Sequence, residues 1–212
     1  MTAAAATAAE APSRWIASPL RLASLLLGLA IFGAGEACIV ASQLRNSPWT
    51  VFGEGVARHT PMSIGVTTIA VSFAIVLLWI PLRQRPGLGT LLNAVLVGVA
   101  LDATLAVLPD TAPLGVRALE VAGGIVLVAI GSAFYLGAAL GPGPRDGLMT
   151  GLHRVTGRPV ALVRAAIEIT ALAAGIALGG TFGVGTLAYA LLIGPAVALA
   201  LRLAGVIHVR DL

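Results

Sequence analysis

The chain has 212 residues, of which 58% are hydrophobic and 10% charged, and its formal net charge is +4 at pH 7. A soluble domain carries about 25% charged residues, so this composition excludes a soluble globular protein and predicts an integral membrane protein. All thirteen basic residues are arginines scattered without a basic run, which argues against a nucleic-acid partner. The single cysteine, Cys38, leaves no internal disulfide to form.

Apolar segments dominate the chain after an alanine-rich start. Residues 1–20 contain Pro12 and Pro19 and predict a disordered N-terminal tail. Six stretches then follow that approach or exceed the roughly 20 residues a helix needs to cross a hydrocarbon core of ~30 Å. They cover residues 22–44, 62–82, 88–108, 116–140, 160–178 and 184–203, and residues 206–212 form a short C-terminal tail. We therefore expect an all-α polytopic membrane protein with about six transmembrane helices.

The sequence repeats itself at an offset of 96 residues. GLGTLLNAVLVG (87–98) and GVGTLAYALLIG (183–194) are identical at seven of twelve positions, and the same offset aligns SPWTVFGEGVARHT (47–60) with GPRDGLMTGLHRVT (143–156). Each half, 21–110 and 111–205, contains three predicted spans. An odd number of crossings makes the second half enter from the opposite side, so the pattern predicts two inverted three-helix repeats, an arrangement common in transporters.

A short helix is predicted after span 1 and another after span 4. Pro48 and Pro144 suit the first turn of a helix, and Gly157 suits a left-handed C-terminal position. About a dozen residues make roughly 18 Å of helix, too short to span, so each segment predicts a re-entrant or interfacial half-helix. Trp49 follows Pro48 and predicts an interface anchor or, as the alternative, a platform for a ligand.

Arg145 and Asp146 stand at the start of the second half-helix. One interpretation is a gate for an anion or another solute on the cytoplasmic side, since free N–H groups at a helix start favour negative charge. The other is a capped surface helix whose arginine contacts lipid phosphate.

Charges inside the spans are costly in lipid and therefore indicate function. Glu36 and Asp102 fall at similar predicted depths, which favours a shared cation or proton site; the alternative is that each is solvated or hydrogen-bonded alone. Arg164 and Glu168 are spaced i, i+4 and predict a structural pair or the lining of a pathway. Asn93 is the side chain of the glycine-rich block that we expect to reach a solute.

Orientation follows from the arginines of the loops. Nine fall on one predicted face and three, Arg45, Arg58 and Arg117, on the other. The positive-inside rule then places both termini in the cytoplasm. No histidine is spaced with carboxylates or cysteine as a metal ligand, and no motif indicates a catalytic nucleophile or a cofactor, so we predict no enzyme, no metal and no cofactor.

The blocks SPWTVF, RPGLGTLLNAVLVG, LGPGPRDGLM and GVGT resemble the signature of the YczE/YyaS/YitT-like family of bacterial integral membrane proteins, and its YczE branch most closely. The resemblance covers roughly residues 25–205 and implies a small multi-pass protein of the bacterial plasma membrane, with no particular substrate. With the inverted repeat, it leads us to expect a permease for a small solute or ion, with cation or proton coupling. The alternative is a non-transporting scaffold or substrate-binding subunit of a larger complex. A homodimer that is active alone would favour the permease, and a stable complex with another membrane protein would favour the alternative.

Overall fold

The fold is known from a computed structural model that describes residues 13–109 and 113–205. In these ranges the chain forms eight α-helices and no strand: α1 (Pro19–Ala41), α2 (Pro48–Ala57), α3 (Ile64–Leu77), α4 (Leu88–Leu105), α5 (Leu114–Gly137), α6 (Pro144–Thr156), α7 (Val160–Ala177) and α8 (Val184–Leu203). Five of these, α1, α4, α5, α7 and α8, are long and apolar enough to cross a membrane. The chain is an all-helical, multi-pass membrane protein.

The predicted tails lie largely outside the described residues, which exclude 1–12 and 206–212. The end of the N-terminal tail is an exception, because the carbonyl of Arg14 accepts a hydrogen bond of 3.0 Å from the backbone N–H of Leu88. This bond attaches residues before α1 to the first turn of α4.

The second predicted span, 62–82, is shorter than expected. Its helix α3 has 14 residues, or about 21 Å, and hydrogen-bonded turns follow it as far as Arg83. Pro81 cannot donate to a continuing helix. The turns also bury Trp79, whose indole Nε1 donates to the carbonyl of Pro144 at 3.1 Å and whose ring packs where Gly147 has no β-carbon. Docking against α6 thus replaces the last turn of the helix.

Both short helices begin, and the second ends, as the sequence predicts. The Ser47 side chain caps α2 by accepting from the N–H of Thr50, and Pro48 occupies the first turn. Pro144 starts α6, and Gly157 ends it with φ of 64°, the left-handed conformation that glycine adopts without a steric penalty. At 10 and 13 residues, neither helix is long enough to cross a bilayer.

The offset of 96 residues recurs in the backbone. Helices α2, α3 and α4 begin 96 residues before α6, α7 and α8, and α1 and α5 begin 95 residues apart. The backbone also enters the positive-φ region in pairs with the same offset, at Gln43 and Ala139, Arg45 and Gly141, and Arg83 and Gly179. The turns that end corresponding helices are therefore alike.

Hydrogen bonds between the halves follow the same correspondence. The N–H of Gly89 donates to the carbonyl of Leu140 at 2.8 Å, and the N–H of Gly185 donates to that of Leu44, also at 2.8 Å. Donors and acceptors are each 96 residues apart. Each glycine-rich block therefore packs the start of α4 or α8 against the turn that follows the first helix of the other half.

Glycines bring α1 and α5 into close contact at the centre of the protein. A β-carbon on Gly28 would lie 2.8 Å from the carbonyl oxygen of Gly131, and one on Gly35 would lie 2.7 Å from that of Gly124. The later residue of α1 contacts the earlier residue of α5, so these two helices run antiparallel. Small residues are what allow such a close approach of two backbones in a membrane.

Glu54 connects α2 to the segment between α7 and α8. Its carboxylate accepts from the backbone N–H of Thr181 at 3.1 Å, from the Thr181 hydroxyl and from Arg58 at 2.9 Å. Burial raises the pKa of Glu54, but these hydrogen bonds outweigh burial and hold the pKa below its ordinary value of 4.5. Among the described residues, Glu54 and Arg58 form the ion pair within 4 Å.

Candidate functional site

A central cavity lies where α2 and α6 begin. It has a volume of about 420 Å³ and is lined by the first residues of α6, by Trp49 of α2, and by residues of α1, α4, α5, α7 and α8. Its charged and larger polar side chains are Asn93, Tyr135, Arg145, Asp146, Arg164, Glu168 and Tyr189. Most of the predicted site residues therefore come together around this one cavity.

Corresponding positions of the two halves line this cavity in pairs. Six lining residues form three pairs that are each 96 residues apart: Trp49 with Arg145, Asn93 with Tyr189, and Phe32 with Val128. A cavity built in this way lies at the contact between the repeats. The halves nevertheless differ there in chemistry, because an indole in one corresponds to a guanidinium in the other.

Arg145 packs between aromatic rings of the first half. Its guanidinium carbon lies 5.4 Å from the centroid of Trp49 and 5.9 Å from that of Phe32, which is the range of cation–π contact. No described residue accepts a hydrogen bond from this guanidinium or forms an ion pair with it within 4 Å. Arg145 thus presents five N–H donors to the cavity without a protein acceptor among the described residues.

Trp49 belongs to the wall of the cavity. Its indole Nε1 donates to Glu168 Oε1 at 3.2 Å, and its ring lies beneath Arg145. Of the two predicted roles, the position fits the ligand platform.

The two carboxylates that line the cavity are each held by one donor from another helix. Asp146 of α6 accepts from the hydroxyl of Tyr135 on α5, and Glu168 of α7 accepts from Trp49 on α2. Both bonds join the two short helices to longer ones. The predicted pair of Arg164 and Glu168 is wrong as an ion pair: no contact within 4 Å joins them among the described residues, although both line the cavity.

Glu36 lies behind the cavity in a network of hydroxyl groups. Its side chain is 1% exposed and accepts from Ser47 Oγ at 2.9 Å, Thr50 Oγ1 at 2.7 Å and Tyr189 OH at 3.1 Å. Three hydroxyl donors thus satisfy both oxygens of this buried side chain. The network also fixes the start of α2, because Ser47 is the cap of that helix and Thr50 lies in its first turn.

Asp102 is not part of this network. It accepts from Ser63 Oγ and, at 2.9 Å, from the backbone N–H of Gly65, so it caps the start of α3. Among the described residues it shares no hydrogen-bonding partner with Glu36. The predicted joint site of Glu36 and Asp102 is therefore not formed, because Asp102 faces α3 whereas Glu36 faces α2 and α8.

Sequence reasoning missed the tyrosines and hydroxyls that hold the carboxylates. Tyr135 lies among the apolar residues of a predicted span, and Ser47 precedes the proline of a predicted short helix, so neither position indicates a partner for a carboxylate. The repeat did contain a signal for Tyr189, since that residue takes the position of Asn93 in the second copy. In the part of the chain that the structure describes, no group of three or more His, Cys, Asp or Glu side chains is placed to hold a metal ion.

Comparison with known proteins gives relatives of similar length. The chain is 39% identical over 191 residues to an uncharacterized protein of Haemophilus influenzae, covering 90% of this chain and 88% of the relative. It is 34% identical over 177 residues to the uncharacterized membrane protein YczE of Bacillus subtilis, covering 82% of each. It is 26% identical over 165 residues to the uncharacterized protein YyaS of the same organism, covering 76% of this chain and 82% of the relative.

No solved structure matches the chain. The model of a family of unknown function, DUF6198, matches residues 19–202, which include every helix from α1 to α7 and nearly all of α8. The matched range contains the cavity, both short helices and the glycine-rich blocks. The chain belongs to the DUF6198 family and is similar to the membrane protein YczE.

Proposed function

We propose that this protein is a transporter for a small solute in the bacterial plasma membrane, built from two inverted repeats of three crossings with both termini in the cytoplasm. In this arrangement α1, α3 and α4 form one repeat and α5, α7 and α8 the other. Helix α3 counts as a crossing because it corresponds to the longer α7. Helices α2 and α6 are the half-helices of the two repeats, and we assign no catalytic role to any residue.

The repeat is supported by contacts that map onto one another when the halves are exchanged. Gly28 contacts Gly131, and Gly35 contacts Gly124. Gly124 corresponds to Gly28 and Gly131 to Gly35 at the offset of 96 residues, so exchanging the halves turns one contact into the other. Helix α5 corresponds to α1 and runs antiparallel to it, as a two-fold axis in the membrane plane requires. Inverted repeats of this kind place substrate sites near the midplane, at discontinuous helices between the halves.

The observation that carries the function is Arg145 in the central cavity. A charged side chain inside a membrane protein is expensive unless it is paired, and it commonly marks a substrate or ion pathway. A purely structural arginine is expected to have acceptors for its N–H groups, yet none of the described residues provides one. A scaffold has no need for such a group at the junction of two half-helices.

Coupling to an ion gradient is not assigned to the predicted pair of Glu36 and Asp102, since these carboxylates have separate partners. Of the two, Glu36 lies beside the cavity, connected to it through Tyr189.

Accessibility from both sides of the membrane tests the proposal. In a Cys38→Ala background, Ser132→Cys introduces a thiol in the cavity wall, and a transporter that alternates exposes this thiol to impermeant reagents from either side of oriented vesicles. Flux of labelled solutes into proteoliposomes provides the second measurement. A thiol reached from one side alone, with no flux of any tested solute and stable co-purification of another membrane protein, would overturn transport in favour of a scaffold or binding subunit.

The inverted topology is tested separately. His59 and Val155 are exposed residues 96 positions apart, so His59→Cys and Val155→Cys in the same background should label from opposite sides. Labelling from the same side would contradict the inverted repeat.

A further inference from the structure

We propose that the central cavity binds a small amino-carboxylate zwitterion, the chemical class of the α-amino acids, with its carboxylate on Arg145 and its ammonium group on Glu168. The inference rests on the proposed function, since it names the class of solute that the transporter carries. Three features of the cavity support it. The N–H groups of Arg145 have no acceptor among the described residues, Glu168 has an oxygen without a donor there, and the charges of the lining residues balance.

The donors are those of Arg145. A guanidinium presents its N–H groups in a planar fork that matches the two oxygens of a carboxylate. Contacts with Trp49 and Phe32 hold the guanidinium in place, so little side-chain freedom is lost when a ligand binds. No described residue accepts a hydrogen bond from this fork, and a ligand that supplies two carboxylate oxygens gives it charge-assisted hydrogen bonds.

The acceptor is Glu168. Its Oε1 atom accepts from Trp49, while its Oε2 atom has no partner among the described residues and the side chain lines the cavity. Arg145 and Glu168 both contact the indole of Trp49, so they lie near the same ring. One small molecule with opposite charges on neighbouring atoms can therefore contact both.

The charge of the lining favours a ligand without net charge. Arg145 and Arg164 balance Asp146 and Glu168, so the formal charge of the cavity wall is zero. The carboxylate of Glu36, behind the wall, is hydrogen-bonded by three hydroxyl groups but not neutralised by them, so a monoanion is disfavoured by charge. A simple cation leaves the N–H donors of Arg145 without an acceptor, whereas a zwitterion satisfies Arg145 and Glu168 and adds no net charge.

The size and walls of the cavity fit the same class. A volume of about 420 Å³ corresponds to roughly 14 water molecules at about 30 Å³ each, enough for an amino acid with its side chain. Apolar residues on the wall, including Met149, Ile193 and Val197, provide a surface for that side chain. The polar groups then fix orientation, as in most small-molecule sites.

Ligand-dependent thermal stabilisation of the purified protein in mild detergent tests the ligand class without requiring transport. The probes are the twenty protein amino acids, followed by two analogues of the tightest one, for leucine 4-methylpentanoate and 3-methylbutylamine. We expect the zwitterion to bind about 10-fold or more tightly than the acid, which lacks the ammonium group, or the amine, which lacks the carboxylate. This comparison uses the wild-type protein and needs no variant to fold.

Two variants and a control test whether Arg145 binds the carboxylate and Glu168 the ammonium group. Arg145→Lys keeps the charge but loses the fork and should weaken amino-acid binding about 10-fold or more. Glu168→Gln should remove the preference for the zwitterion over the acid, because the ammonium group loses its charged acceptor while the monoanionic acid no longer meets the negative charge of Glu168. Arg202→Gln, at an exposed arginine in the last turn of α8 and outside the cavity lining, should leave both unchanged.

The possible outcomes separate this inference from the proposed function. Amino-acid binding without flux in proteoliposomes would leave the ligand class standing and overturn transport. Stabilisation by inorganic phosphate, simple carboxylates or amines, with none by any amino acid, would overturn the ligand class, and so would flux of another solute without amino-acid binding.

Discussion

The crossing of α1 and α5 makes a quantitative prediction. Replacing Gly35 by alanine puts a β-carbon 2.7 Å from the carbonyl oxygen of Gly124 and 2.8 Å from the N–H nitrogen of Val128, whereas ordinary contacts begin at 3.4 Å. Two backbones cannot move aside as a flexible side chain can, so the helices must separate by about 0.7 Å. Overpacking of this kind costs about 1–3 kcal/mol.

The corresponding glycine of the other half should respond in the same way. A β-carbon on Gly131 would lie 2.6 Å from the carbonyl oxygen of Gly28 and 2.6 Å from the N–H nitrogen of Phe32. Gly35→Ala and Gly131→Ala should therefore destabilise by similar amounts. Their double variant should cost less than the sum, because one separation of the helices relieves both contacts.

Gly123→Ala is the matched control, since a β-carbon on this α5 glycine meets nothing within 4 Å. All three substitutions gain about 1 kcal/mol of helix propensity, so the difference from Gly123→Ala isolates the packing cost. The assay is equilibrium unfolding in mixed micelles, with the expected difference of about 1–3 kcal/mol. Equal stability of Gly35→Ala and Gly123→Ala would refute the close crossing, and a cost at only one of the two contact glycines would refute the equivalence of the halves.

Three further predictions concern single contacts. Tyr189→Phe removes a donor to the buried Glu36 and should lower the free energy of unfolding by about 1.5–3 kcal/mol in the same assay; no loss would show that this bond is not formed. Gly147→Ala puts a β-carbon into the ring of Trp79 and should expose that indole, seen as a red shift of tryptophan fluorescence together with a loss of stability. Because Glu54 has a lowered pKa in the folded state, its stabilisation is complete above its ordinary pKa of 4.5 and is lost as pH falls through the lower folded value. Unfolding from about pH 6 to pH 3 should therefore depend less on pH in Glu54→Gln than in the wild type, and identical pH profiles would contradict this role.

Much of the architecture could be predicted because its signals are local. Proline in the first turn marks the start of both short helices, and Gly157 marks the end of α6, without reference to the rest of the chain. Length and hydropathy identified the long helices for the same reason. The prediction of a full-length helix over residues 62–82 is the exception. It is wrong because Trp79 lies outside the helix and packs against α6, a contact distant in sequence that hydropathy cannot indicate.

The candidate site was only partly predictable. Depth along a span suggested that Glu36 and Asp102 meet, but depth says nothing about the direction in which each side chain points around its helix axis. The structure directs Asp102 to the start of α3 and Glu36 to the start of α2. Likewise, i, i+4 spacing allows Arg164 to contact Glu168, yet the indole of Trp49 provides the donor that Glu168 uses.

The sequence by itself determined that this protein lies in a lipid bilayer, where its short helices start, and which offset relates its two halves. Composition, helix-start signals and repetition are all properties of the linear chain. Only the tertiary structure decided that Trp49 and Arg145, 96 residues apart, meet in one cavity and that Arg145 remains without an acceptor among the described residues. The physical reason is that a hydrogen bond or cation–π contact depends on the direction of side chains from helices that are remote in sequence. Packing of the antiparallel α1 and α5 brings those helices together.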